Sequence, residues 1–240
     1  MSQAGERPHI VSSYDRELES IQTHIMKMGG LVEAAITDAA QALVDRDVER
    51  AEAVRSADKA IDALEELITE ETSKLMALRS PAGVDLRMIL SVMRISGNLE
   101  RIGDYAKNIA KRSIVLADEP DVNESAAALR RMAREVELML KDALDSYIQR
   151  DEELAEVVIA RDREVDQMYN AVFREFLTYM MEDPRNITHC MHLHFIAKNY
   201  ERMGDHVTAI AEQVVYLTSG QRPDNDRPKA DMTSEIKLEE

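Results

Sequence analysis

The chain has 240 residues, 45% hydrophobic and 32% charged, enough apolar material for one or two packed cores. Its formal net charge of −16 repels phosphate backbones and anionic lipid, so the sequence argues against nucleic-acid and direct membrane binding and favours cations or basic protein surfaces. A single cysteine, Cys190, excludes an intrachain disulfide, and its apolar surroundings read as a buried, inert thiol.

Helix formers dominate, period-two β-branched runs are absent, and Gly and Pro are few, at eight and six. Residues 1–12 and 221–240 are polar or charged and read as disordered ends. The first predicted helix runs from Ser13 to about Leu43, capped by Ser12 or Ser13, with the stripe Ile21, Ile25, Val32, Ile36, Ala39 and Leu43. The second runs from about Asp47 to Leu78, with Ala57, Ile61, Leu64, Ile68 and Leu75 on one face. Ser80 and Pro81 then read as N-cap and first-turn proline of a third helix reaching Ala117.

The stretch around Pro120, residues 119–123, reads as a linker. A fourth helix covers about Glu124–Arg150 and a fifth about Asp151–Met181. Asp183-Pro184 reads as cap and first-turn proline of a sixth, which ends near Ser219 with Gly220 as its C-terminal stop. The fourteen methionines follow the apolar stripes and read as core filling. No apolar signal core opens the chain, so a cytoplasmic location is expected.

The two halves repeat each other. RDVERA at 46–51 answers RDEELA at 150–155. Asp58 and Asp62 recur 104 positions on as Asp162 and Asp166. Glu100 and Asp104, within NLERIGDYAKNIA, recur 101 positions on as Glu201 and Asp205, within NYERMGDHVTAIA. The expected fold is therefore all-α: two tandem, homologous antiparallel three-helix bundles, residues 13–118 and 124–220, together elongated.

Paired acids four apart are common by chance, roughly eight or nine in so acidic a chain, and most such pairs are solvated surface. The hairpins add the specific signal. Asp62 lies 18 residues before the turn at 80–82 and Glu100 lies 18 after it. Asp166 and Glu201 each lie 17 residues from the turn at 183–184. At equal rise these residues come level on neighbouring helices, so each half gathers four carboxylates. They are Asp58, Asp62, Glu100 and Asp104, then Asp162, Asp166, Glu201 and Asp205. Arg101 and Arg202, protonation or a bound cation are the available neutralisers, and carboxylate oxygens suit Mg²⁺, Mn²⁺ or iron. Gly103 and Gly204, each costing about 1 kcal/mol inside a helix, imply a close helix approach beside the acids. A plain solvated acidic face is the competing reading, and Glu100, pointing away from the stripe of Ile102, fits it equally.

The doubled Glu-Arg-(Ile/Met)-Gly-Asp motif, the upstream Asp-x-x-x-Asp pairs and DLRMIL at 85–90 resemble the PhoU family of bacterial phosphate-signalling regulators over about residues 13–220. That resemblance implies surface multinuclear metal clusters on the eight acids named above. It implies negative regulation of phosphate uptake and of the phosphate-starvation response. It also implies a sensor histidine kinase and the ATPase of the phosphate ABC transporter as partners, and often a homodimer. His194 has Met93 as its counterpart, so the two clusters need not hold the same number of ions.

A carboxylate-bridged di-metal enzyme is the first rival, but such bundles place Glu-x-x-His on two helices, and here that pattern occurs only at Glu6–His9. A metal-free helical scaffold is the second. His189 and His192 read as core, surface or partner residues, His194 as an extra candidate ligand, and His206 as a packing neighbour of the cluster. No nucleophile–base pair or glycine-rich phosphate loop is visible, so no catalysis is expected.

Overall fold

The computed structural model describes residues 7–119 and 125–221. Within them the chain forms six long α-helices: α1 (Arg7–Asp45), α2 (Val48–Arg79), α3 (Val84–Leu116), α4 (Ser125–Gln149), α5 (Glu152–Glu182) and α6 (Ile187–Ser219). A 3₁₀ turn, Pro184–Asn186, leads into α6. Helices α1–α3 pack on one another, as do α4–α6, and α3 against α6 with α1 against α4 joins the halves. At 1.5 Å per residue α1 is about 58 Å long, and the molecule is two elongated bundles laid side by side. No helix among the described residues is long and apolar enough to cross a membrane.

The repeat seen in the sequence is also a repeat of turn chemistry. Arg46 and Arg150 both take left-handed backbone angles, with φ of 55° and 54°. The aspartate after each caps the next helix: Asp47 accepts from the Arg50 amide at 2.9 Å and Asp151 from the Leu154 amide at 3.0 Å. The RD dipeptide thus closes one helix and opens the next in both halves.

The hairpin before α3 departs from the sequence expectation. Ser80 does not cap α3. It ends α2 in the left-handed region, φ 45°, with its amide bonded to the Met76 carbonyl. Gly83, at φ 60°, immediately precedes α3, so the helix starts at Val84, past Pro81. At the second hairpin Asp183 and Pro184 open the 3₁₀ turn that leads into α6 rather than α6 itself: Asp183 accepts from the Arg185 amide, and α6 starts at Ile187 after Asn186. Gly220 ends α6 at φ 75°. Helix α1 begins at Arg7, upstream of the expected caps at Ser12 and Ser13, with Pro8 tolerated because first-turn amides have no intrahelical acceptor. Most of the expected linker, the first six residues and nearly all of the expected C-terminal tail lie outside the described residues.

The predicted stripes form the core. Ile25, Ile36, Ile68, Ile95, Ile102 and Ile109 are fully buried, as are Ile196, Met203 and Ile210, the counterparts on α6 of the three α3 isoleucines. Of the second-helix stripe Ala57 is the exception, exposed on α2 while Asp58 beside it is buried. Cys190 is buried, and burial pushes its thiol above the ordinary value, which leaves it unreactive.

Candidate cation site: two unequal carboxylate grooves

Each ERxGD glycine brings two helices together at an aspartate. A methyl group on Gly103 would stand 3.0 Å from Ile61 Cδ1 and 3.7 Å from Asp58 Oδ1. One on Gly204 would stand 3.2 Å from Asp162 Oδ1 and 3.4 Å from Val165 Cγ1. The two glycines thus admit the same close approach of α3 to α2 and of α6 to α5, and the first aspartate of each Asp-x-x-x-Asp pair, Asp58 and Asp162, sits in it.

In the first repeat the acids do come level. Asp62 and Glu100 line one open groove of about 470 Å³ between α2 and α3, with Glu65, Glu66, Gly97 and Arg101. Burial pushes the Asp62 carboxyl above its ordinary value, and the charge of Asp58 pushes it further. Burial and then Asp104 do the same to Glu100, with Asp62 and Glu65 adding to the repulsion. The groove therefore concentrates negative charge that Arg101, the one cation in its lining, offsets only in part.

Asp58 and Asp104 are balanced from within the chain. Lys107 Nζ donates a short hydrogen bond to Asp58 Oδ2 and lies 3.3 Å from Asp104 Oδ1. Arg101 reaches Glu100 at 3.5 Å and Asp104 at 3.8 Å. Asp58 is 4% exposed, and its second oxygen, Oδ1, is buried with no hydrogen-bond partner. Such an atom carries the full cost of desolvation until a donor or cation meets it.

The second repeat is level but closed. Lys198 Nζ lies 4.8 Å from the centre of the Tyr169 ring, and Asp162 faces Gly204. Those two contacts bracket Asp166 and Glu201, which stand between them on the facing helices α5 and α6. Asp162, Asp166 and Glu201 are 8%, 6% and 6% exposed, so the expectation of outward-facing acids is corrected here, and for Asp58. The reason is the neighbouring helix: Glu201 points away from the core stripe of α6 but into the seam with α5. Lys198 binds Glu201 Oε1 at 2.9 Å. Asp205 is half-buried at the margin of the seam.

Lys107, Lys198 and Tyr169 were not singled out in the sequence, although each lysine stands three residues from a motif acid, within ion-pair reach on a helix. The histidines pack. His194 sits among the rings of Tyr169, Phe173 and Phe195, with centroids 5.1–5.9 Å away, and burial pushes its pKa down. His206 stacks on Tyr105, its own counterpart in the first repeat, and shares a 2.8 Å hydrogen bond with Asn98 across the α3–α6 seam. His192 lies 3.3 Å from Arg112, and His189 is buried.

Among the described residues no three His, Cys, Asp or Glu side chains converge in a metal-ligand arrangement. In the first repeat the ammonium of Lys107 stands between Asp58 and Asp104. The four carboxylates of the groove, with Arg101 beside them, offer the oxygen donors that a hard cation takes, while the buried Asp58 Oδ1 lies by Gly103, outside the groove lining. The second repeat fits one poorly, since it offers fewer carboxylates and Lys198 already pairs with one of them, Glu201.

A PhoU domain model matches residues 25–113 and again 129–214, the two repeats. A protein of Rhizobium meliloti named phosphate-specific transport system accessory protein PhoU homolog is 45% identical over 228 residues, 95% of this chain and 96% of that protein. One of Xylella fastidiosa with the same name is 46% identical over 231 residues, 96% and 95% of the two chains. The crystal structure of PhoU from Pseudomonas aeruginosa superimposes with a TM-score of 0.84 at 40% identity, covering 87% of this chain and all of that one. That of the phosphate transport system regulatory protein PhoU from Streptococcus pneumoniae gives 0.81 at 30% identity, over 88% of this chain and 99% of that one. On two matched domains, close relatives and a shared fold, the chain belongs to the PhoU family.

Proposed function

We propose that this protein is an accessory regulator of phosphate transport. It lowers phosphate uptake and the phosphate-starvation response when phosphate is plentiful. It acts as a non-catalytic, cytoplasmic adaptor, in dimeric form, between the ATPase of the phosphate ABC transporter and the sensor histidine kinase. A divalent or trivalent cation, Mg²⁺, Mn²⁺ or iron, binds at the carboxylate groove of the first repeat. The names of the relatives support the transport role, and the open groove lined by Asp62, Glu65, Glu66 and Glu100 is the single observation that supports the cation.

Asp62 and Glu100 would hold the ion, with Asp58 and Asp104 added once Lys107 swings away. The ion would replace mutual repulsion of the groove acids by attraction and cut the local negative charge that a basic partner surface meets. The test is a pull-down of the kinase and the transporter ATPase under high phosphate, with and without chelator. Capture that falls on chelation fits the adaptor; capture of neither partner under either condition contradicts it. A strain lacking the protein is expected to keep taking up phosphate in rich medium, and normal repression there would remove the regulatory role. A metal-free scaffold is the second reading, favoured by the Lys107 ammonium already seated between two of the acids.

A further inference from the structure

The two repeats differ most where the cation reading needs them alike. The first-repeat groove is lined by Asp62, Glu65, Glu66, Gly97, Glu100 and Arg101, four carboxylates against one guanidinium. Carried across by the repeat offsets, the corresponding positions are Asp166, Tyr169, Asn170, Lys198, Glu201 and Arg202. Two carboxylates remain there, against an ammonium and a guanidinium. A glutamate has become an aromatic ring, and a glycine has become a lysine.

Those two replacements touch each other. Lys198 Nζ lies 4.8 Å from the Tyr169 ring centre and 2.9 Å from Glu201 Oε1. The ring shields the ion pair, and a cation over an aromatic face is attracted to it. The side chains of Lys198 and Glu201 are 28% and 7% exposed, against 41% for Lys107 in the first repeat. His194 and Phe173 pack against the same side of the seam. An entering metal ion would have to displace a shielded ammonium and then remain beside it, like charge against like charge.

We propose that the repeats have divided their roles: only the first takes an exchangeable metal cation, while in the second Lys198, covered by Tyr169, is a built-in and permanent counter-ion. Lys198 and Tyr169 are specificity-determining residues in this assignment, which rests on the cation reading above. The second repeat then holds its α5–α6 seam together whatever the metal supply, and the first responds to it.

The test is Mn²⁺ titration of the full-length protein, with free Mn²⁺ counted by electron paramagnetic resonance and folding checked by circular dichroism. Wild type is expected to bind Mn²⁺, and Asp62→Asn/Glu100→Gln to weaken that binding by about ten-fold or more. Asp166→Asn/Glu201→Gln is expected to leave it within about two-fold of wild type. Lys198→Ala/Tyr169→Glu, which removes the ammonium and brings the carboxylates to three of the first repeat's four, is expected to add a second class of site and roughly double the Mn²⁺ held per chain. Equal loss from both acid pairs would overturn the division of roles and leave the cation reading standing. No added site in Lys198→Ala/Tyr169→Glu would overturn the assignment to those two residues. Wild type that binds no Mn²⁺ would overturn this proposal and the cation reading together.

Discussion

Gly103→Ala separates a glycine kept for packing from one that is merely tolerated. Inside a helix, alanine is favoured over glycine by about 1 kcal/mol. Gly30, on the exposed side of α1, has nothing within 4 Å of where a methyl would stand, so Gly30→Ala should gain most of that. At Gly103 the added methyl meets Ile61 Cδ1 at 3.0 Å and Cγ2 at 3.4 Å. Ile61 is 2% exposed and β-branched, with little rotamer freedom to retreat. Overpacking of that kind costs about 1–3 kcal/mol. The net change is a loss of about 0–2 kcal/mol, and the gap between the two variants is about 1–3 kcal/mol. For a chain of this size 1 kcal/mol moves Tm by about 2–4 °C, so thermal melts should separate the variants by several degrees. Gly204→Ala, with Asp162 Oδ1 at 3.2 Å, should fall on the same side as Gly103→Ala. A Gly103→Ala protein as stable as Gly30→Ala would refute the claim that the ERxGD glycine sets the helix spacing.

Three further outcomes follow from the charges. Lys107→Met leaves Asp58, 4% exposed, without its ammonium and should cost about 2 kcal/mol in urea denaturation, below the figure for a fully buried pair because Lys107 is 41% exposed; adding Asp58→Asn should recover most of the loss, and no recovery would break the pairing. Asp62 and Glu100 have folded-state pKa values raised above their unfolded ones, so the native state binds more protons through that window and stability falls as pH rises across it. Asp62→Asn/Glu100→Gln should accordingly stabilise the metal-free protein at pH 7 and flatten its stability-pH profile between the ordinary and raised carboxyl values; an unchanged profile would contradict the crowding of these acids. Arg161 joins α5 to α4 through Glu135 at 2.9 Å and Asp142 at 2.6 Å, so Arg161→Leu should cost about 2–3 kcal/mol, read by the same denaturation.

The register of the acids was legible because helix rise is constant. Equal counts from each turn put Asp62 level with Glu100 even though α3 starts a few residues later than Ser80-Pro81 suggested. That shift moves the centre of the hairpin little, while the cap itself was misread: serine is a favoured N-cap and an uncommon left-handed residue, yet Ser80 takes the left-handed region and ends α2. Burial was less legible. A helix wheel shows only its own core stripe, and Glu201 leaves that stripe only to enter the groove of the next helix. The counter-ions were missed for a related reason. Lys107 aligns with Thr208, and Lys198 with Gly97, so neither lysine belongs to the repeated pattern that drew attention to the acids. What the duplication shares was readable from its matches, and what distinguishes the halves lies in the mismatches.

The most direct measurement is anomalous diffraction from crystals of the full-length protein soaked in Mn²⁺. The account predicts a peak in the α2–α3 groove within coordination distance of Asp62 and Glu100, about 2.0–2.6 Å for oxygen ligands of hard divalent ions, with none between Asp166 and Glu201. A groove bare of anomalous signal, with the Lys107 ammonium still between Asp58 and Asp104, would contradict it.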